Sequence, residues 1–267
     1  MHTYAIDLSH FKHLRTLTII NSSIIDIPII QSALVHLTHL VNLRISIDSN
    51  DVDRSPVVNI GNDFFMGPRL KNVKMNMCAR TTFSNVNISS SIEQLSIAWC
   101  QLQELTHLLR YTPNLYTLKA TICGLDGIDN WKETIIGNFT TNYFLRLNSL
   151  KLVIELMSFD FLLLFLHELI QLRSLWLILN HHEYLDVDKW ENLFQSSLTK
   201  LDRLDLTIAL TKPFILGQIT PNAACKKFNT KFWYDRGWGA KLDEYVHCSR
   251  LIVSNNLMPI IKKAKRQ

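Results

Sequence analysis

Residues 172–177 read LRSLWL and residues 201–206 read LDRLDL. Leu holds the first, fourth and sixth places of both. That spacing suits a short strand whose alternate side chains face opposite ways. The same six-letter phrase, apolar-x-x-apolar-x-apolar, also starts at Leu14 (LRTLTI), Leu40 (LVNLRI), Leu70 (LKNVKM), Ile92 (IEQLSI), Leu115 (LYTLKA) and Leu147 (LNSLKL). Every key place is apolar and most are Leu, a regularity that choosing a reading frame does not create. Successive starts lie between 22 residues apart (Leu70 to Ile92) and 32 apart (Leu115 to Leu147). Self-similarity at such a period marks stacked units, none of which buries its apolar face alone.

The phrase predicts geometry. Letters four and six point into a core, letters three and five point out, and neighbouring copies pair as a parallel sheet. The chain between phrases must return along the other side. Helical spacing of apolar residues is found there over Pro28 to His39, Gln101 to Tyr111, Ser158 to Gln171 (Ser158 or Asp160 as N-cap) and Asp186 to Gln195. Asp48 to Pro68 and Gly124 to Tyr143, with Gly, Asn and Asp, read as irregular protruding loops.

The pattern LxxLxLxxC/NxL resembles the leucine-rich-repeat family over roughly Leu8 to Leu210. Its ninth letter falls on Ser22, Asp48, Cys78, Cys100, Cys123, Glu155, Asn180 and Ala209, and its eleventh is apolar at Ile24, Leu102 and Leu125. The resemblance implies an α/β fold, a horseshoe solenoid with a parallel sheet on the concave side and helices and irregular loops on the convex side. It also implies that the ninth-letter Cys or Asn serves the backbone of the turn after the strand. Cys at this place with uneven repeat length is similar to F-box/leucine-rich-repeat proteins, the substrate-recognition subunits of cullin-type ubiquitin ligases. The F-box, which docks a Skp-type adaptor, is absent, and only 13 residues precede the first phrase. The chain therefore reads as a fragment of such a protein or as a free-standing relative.

The expected organisation is a solenoid of about eight repeats over residues 1–208 and a C-terminal cap over 209–267. The cap is rich in aromatics (Phe214, Phe228, Phe232, Trp233, Tyr234, Trp238, Tyr245) and ends in a basic tail of Lys262, Lys263, Lys265 and Arg266. With 47% hydrophobic and 19% charged residues the chain is a folding one. No signal-like run opens it, and the most apolar stretch, Phe159 to Leu172, is too short to cross a bilayer. Five cysteines without a CxxC pair suit a reducing compartment, so the expected location is intracellular: cytoplasmic, or nuclear if the tail is an import address.

No Gly-rich phosphate loop, HExxH or GxSxG occurs, which points away from an enzyme and from a cofactor. His10, His13, His36 and His39 recur at matching offsets and are the best metal candidate, but a repeated consensus explains that spacing unaided; His181, His182 and Glu183 form a weaker triplet. The outward letters carry more information. Letter five reads Thr18, Arg44, Lys74, Ser96, Lys119, Lys151, Trp176, Asp205, and letter three reads Thr16, Asn42, Asn72, Gln94, Thr117, Ser149, Ser174, Arg203.

A basic row with one solvent-facing Trp and flanking amides is the expected partner-binding surface: Arg44, Lys74, Lys119, Lys151 and Trp176, with Asn42, Asn72 and Arg203 beside them. It suits an acidic or phosphorylated peptide. The net charge of +5 is modest and stacking aromatics are not interleaved, so nucleic acid fits less well. The expected function is non-catalytic protein binding, as the target-recognition part of an F-box-type ligase subunit. A free-standing scaffold or inhibitor is the alternative, with RNA binding or metal-dependent activity behind it.

Overall fold

The computed structural model describes residues 8–23, 26–47, 57–65, 67–77, 80–83, 85–123, 146–155, 157–211, 221–244 and 248–257. The chain divides into two compact units, Met1–Leu147 and Asn148–Gln267. Each is α/β, built on an open sheet that is parallel in the first unit and mixed in the second.

In the first unit the strands are β1 (Thr16–Ser22), β2 (Asn42–Ile47), β3 (Val57–Asn59), β4 (Asn72–Asn76), β5 (Arg80–Thr82), β6 (Gln94–Cys100) and β7 (Thr117–Ile122). The main ladder runs β1-β2-β4-β6-β7, parallel throughout. Each of these five strands begins at letter three of a phrase, and equal letters pair. Thr16, Asn42, Asn72, Gln94 and Thr117 form one row, and Thr18, Arg44, Lys74, Ser96 and Lys119 the next. The inward residues Leu43, Ile45, Val73, Met75, Leu95, Ile97, Leu118 and Ala120 are buried. On β1, which among the described residues has a ladder partner on one side only, Leu17 and Ile19 are half-buried.

Helices α1 (Ile27–Leu34) and α2 (Leu102–Arg110) occupy two of the intervening segments. Ile27, Ile30 and Leu34 of α1, and Leu102, Leu105, Leu108 and Leu109 of α2, are their buried apolar residues. The sequence pattern predicts α1 running to His39, but it stops at Leu34. There the chain tightens into i→i−3 bonds, with His36 N–H donating to the Ala33 carbonyl, Leu37 to Leu34 and Leu40 to Leu37. The same bond delivers most first letters to their strands: Leu14 to Phe11, Leu70 to Gly67 and Leu115 to Thr112. A tight turn costs the helix its last residues and places a Leu in the core at the strand entry.

The expected loop Asp48 to Pro68 is only partly outside the described residues. Residues 57–65 are packed rather than protruding: Val58, Ile60, Phe64 and Phe65 are buried, and β3 pairs in parallel with β5. The alternation Val57 out, Val58 in, Asn59 out is a short strand signal that the Asn and Gly around it concealed. The second expected loop, Gly124 to Tyr143, lies outside the described residues, as do Ile24, Asp48, Cys78, Leu125, Phe214, Tyr245 and the basic tail.

The second unit contains β8 (Ser149–Ile154), α3 (Phe159–His167), β9 (Ser174–Leu179), α4 (Val187–Ser196), β10 (Arg203–Thr211), α5 (Pro221–Lys227), α6 (Lys231–Asp235), β11 (Gly239–Glu244) and β12 (Cys248–Ser254). Strands β8, β9 and β10 are parallel and again start at letter three; β12 then pairs antiparallel with β10, and β11 with β12. β10 runs on through the expected boundary at 208/209. α3 stops at His167 instead of Gln171, with Leu169 and Leu172 making the same i→i−3 bonds as in the first unit.

Aromatic residues fill the end of this unit's core. Trp190, Phe194, Phe228, Trp233 and Trp238 are buried, with Phe194 edge-on to Trp233 (5.7 Å) and to Trp238 (5.1 Å). Gly237, at φ 75°, makes that seating possible. It lets its own N–H reach the Tyr234 carbonyl and that of Trp238 reach Trp233, a left-handed helix end that residues with a Cβ resist.

The paired inward rows generate a direct test. Leu118 is fully buried on β7, opposite Leu95 of β6. Leu118→Ala is expected to cost about 2–5 kcal/mol in urea unfolding, while exposed Lys119→Ala on the same strand stays within about 0.5 kcal/mol. Equal midpoints for the two variants would refute this register.

Candidate partner-binding face

The outward row of the first unit is set by the pairing just described. Arg44, Lys74 and Lys119 are exposed on β2, β4 and β7, with Ser96 of β6 between the last two. Arg44 and Lys74 are direct register partners. Like charges opposite one another on adjacent strands repel. The remaining outward positions, from Thr16 and Thr18 on β1 through Ser46, Asn76 and Ala98 to Thr121 on β7, include no carboxylate. Among the described residues none of these three cations has a hydrogen bond or ion pair. Together they edge a shallow depression of about 290 Å³ floored by Leu17, Leu43, Val73 and Leu95.

Beside the cations runs a ladder of neutral groups. Asn72 Nδ2 donates to Asn42 Oδ1 at 2.6 Å, and Asn42 Nδ2 donates to Thr16 Oγ1 at 3.1 Å. The bonds fix both amide orientations and leave the second N–H of each amide outside the ladder. Sequence reasoning placed Asn42 and Asn72 on this face but missed their mutual bonding. Its signal was there: Asn recurs at letter three of consecutive phrases, which the register makes neighbours.

The second unit carries Lys151, Trp176 and Asp205 in one row on β8, β9 and β10, with Arg203 exposed at letter three. Trp176 is not the free solvent-facing aromatic that its letter predicts. It is half-buried, and Lys151 Nζ sits 3.6 Å from its ring centroid, a cation–π contact. Val153, Ile178, Thr207 and Ile252, all half-buried, form the adjacent row. That row went unread because the six-letter phrase ends one residue before it. Burial raises the carboxyl pKa of Asp205, and the charge of Lys151 opposes the shift without cancelling it.

The remaining candidates resolve into structural roles. His13 and His39 touch as rings 5.2 Å apart, and Arg69 Nη1 lies 3.1 Å from His39 Nδ1. A guanidinium only donates, so this bond needs His39 neutral with Nδ1 as acceptor. Among the described residues no three His, Cys, Asp or Glu side chains come together as a metal site. Glu183 accepts the N–H of Phe159 at the start of α3, at 3.1 Å, and its own N–H is 3.4 Å from His181 Nδ1. The His181-His182-Glu183 triplet thus ties one phrase's helix to the next. Cys123 Sγ lies 3.4 Å from the Cys100 carbonyl, which also accepts the Cys123 N–H, the backbone service expected of a ninth-letter Cys. Burial, with Cys123 and Glu104 nearby, pushes the Cys100 thiol far above its ordinary range, which disfavours the thiolate form.

Among the described residues no helix is long and apolar enough to cross a membrane. In comparisons with known proteins, no protein-family model and no curated protein matches this chain.

The pKa shift of Asp205 sets a pH test. Because the folded pKa is raised, the fold disfavours the ionised form. The wild-type protein is free of this cost below about pH 3.9, the unfolded value, and bears it once the pH has risen through the folded pKa. Asp205→Asn does not ionise, so the melting temperature of the variant relative to wild type is expected to rise between pH 3 and pH 7. A constant difference across that range would show that the carboxylate is not desolvated.

Proposed function

We propose that this chain is a leucine-rich-repeat solenoid that binds an acidic segment of a partner protein on the outward face of its strands, without catalysis and without a cofactor of its own. The observation that carries the reading is the row Arg44, Lys74 and Lys119, exposed on a face whose other outward positions hold no carboxylate. Letters three and five take no part in the core, so nothing in folding calls for three unneutralised cations there. Their mutual repulsion is relieved when an anion binds. No aromatic stands in the row itself, which favours a peptide over a nucleic acid. Lys151, Trp176 and Arg203 in the second unit offer a cation, an apolar ring and a guanidinium for the same kind of partner.

The narrower proposal is target recognition within an F-box-type ubiquitin ligase. It draws on the cysteines at the ninth letter and on the bond from Cys123 to the Cys100 backbone.

The test uses wild-type protein and the triple variant Arg44→Glu, Lys74→Glu, Lys119→Glu as paired baits, with captured proteins quantified by mass spectrometry. Acidic partners are expected to fall by about tenfold or more with the variant, since three attractions become repulsions, while the melting temperature barely changes. Recovery of a Skp-type adaptor and a cullin with a longer bait that carries an F-box upstream of this chain supports the ligase. Equal capture by the two baits overturns the cationic face as the binding surface.

A further inference from the structure

We infer that the outward face of the first unit takes one phosphorylated side chain between Arg44 and Lys74, with an acidic residue three to four positions away on the same extended segment reaching Lys119. This rests on the acidic-segment reading above and narrows it to a phosphoserine-containing peptide of defined spacing.

The row Arg44, Lys74, Ser96, Lys119 is two cations, a neutral gap and one cation on four successive strands. Arg44 and Lys74 stand at the same letter of neighbouring parallel strands, about 4.8 Å apart at the backbone, so one group can meet both. A carboxylate would leave half of that charge uncompensated. A phosphomonoester brings about −1.5 to −2 and three acceptor oxygens, enough for the fork of Arg44 and the point charge of Lys74 together. The nearest side chains add donors without adding competing charge. Asn42 and Asn72 sit two residues upstream on the same strands and are held in place by their own ladder.

Spacing supplies the second half of the inference. Lys119 lies two and a half strand intervals from the midpoint of Arg44 and Lys74, about 12 Å at about 4.8 Å per strand. An extended peptide crossing the strands advances about 3.3 Å per residue and covers that distance in three to four residues. The gap at Ser96 matches the intervening positions, which need no charge.

Two composition-matched nonapeptides test this by isothermal titration at fixed salt: Glu-Thr-Thr-Thr-pSer-Thr-Thr-Thr-Glu, whose acids are spaced for either peptide direction, and Thr-Thr-Thr-Glu-pSer-Glu-Thr-Thr-Thr. The spaced phosphopeptide is expected to bind about tenfold more tightly than its unphosphorylated form, the effect of one or more charge-assisted bonds, and about threefold more tightly than the adjacent-acid peptide. Lys74→Glu should abolish the preference for phosphate. Lys119→Glu should abolish the preference for spacing and keep that for phosphate. Both residues are exposed, and circular dichroism and melting temperature verify that the variants fold.

If the unphosphorylated spaced peptide binds as well as the phosphorylated one, the inference is overturned while the acidic-segment reading stands. It is overturned as well if inorganic phosphate competes at the same concentration as the phosphopeptide, or if a twelve-nucleotide oligothymidylate binds more tightly. Peptide affinities indifferent to Lys74→Glu, combined with unchanged partner capture by the triple variant, overturn the inference and the reading together.

Discussion

A strand of six or seven residues with apolar side chains on one face buries nothing until a second strand lies beside it in the same register. That dependence governs both units. Leu95 is covered because Val73 and Leu118 flank it at the same letter, and Leu175 because Leu150 and Leu204 do. Each buried Leu is worth about 1.5–3 kcal/mol relative to exposure, so a one-residue slip that turned an inward row outward would forfeit several such contributions at once. Register is therefore the most strongly determined property of the sheets, and the outward rows inherit it without contributing to it.

This inheritance explains how Arg44 and Lys74 come to be opposed. Their repulsion is a surface term of a fraction of a kcal/mol in water, small against the inward row that holds the strands in place. The core imposes the juxtaposition and tolerates its cost. In the second unit the same arrangement has a different outcome. There the row holds an aromatic and a carboxylate, so Lys151 lies over Trp176 and carries part of the burden of the desolvated Asp205.

Ends of such sheets need separate treatment, and the described ends differ. In the second unit the outermost strand, β11, carries Lys241, Asp243 and Glu244, charges that discourage pairing with another chain, while the aromatic cluster around Phe194 closes the core behind it. β1 has no charge within TLTIINS, and its inward Leu17 and Ile19 are half-buried on a strand that has one ladder neighbour among the described residues. Between strands, the i→i−3 turn before most first letters spends helix length to bring a Leu to the strand entry, which is why α1 and α3 are shorter than their periodicity suggests.

The sequence by itself determined the eight phrase strands and the side to which letters three to six of each point. These follow from a local alternation that burial makes obligatory. It also located the four helices between phrases, through apolar spacing at 3.6 residues. Tertiary structure alone decided what depends on neighbours distant along the chain. It joined Asn42 to Asn72 and Thr16, laid Lys151 across Trp176, turned Glu183 onto the Phe159 N–H and packed Val58 and Phe64 where Gly and Asn had suggested a loop. Periodicity encodes which way a side chain points, because that is set by the backbone of its own strand. Which partner it meets is set by the register between strands and by the length of the side chains that face each other across it.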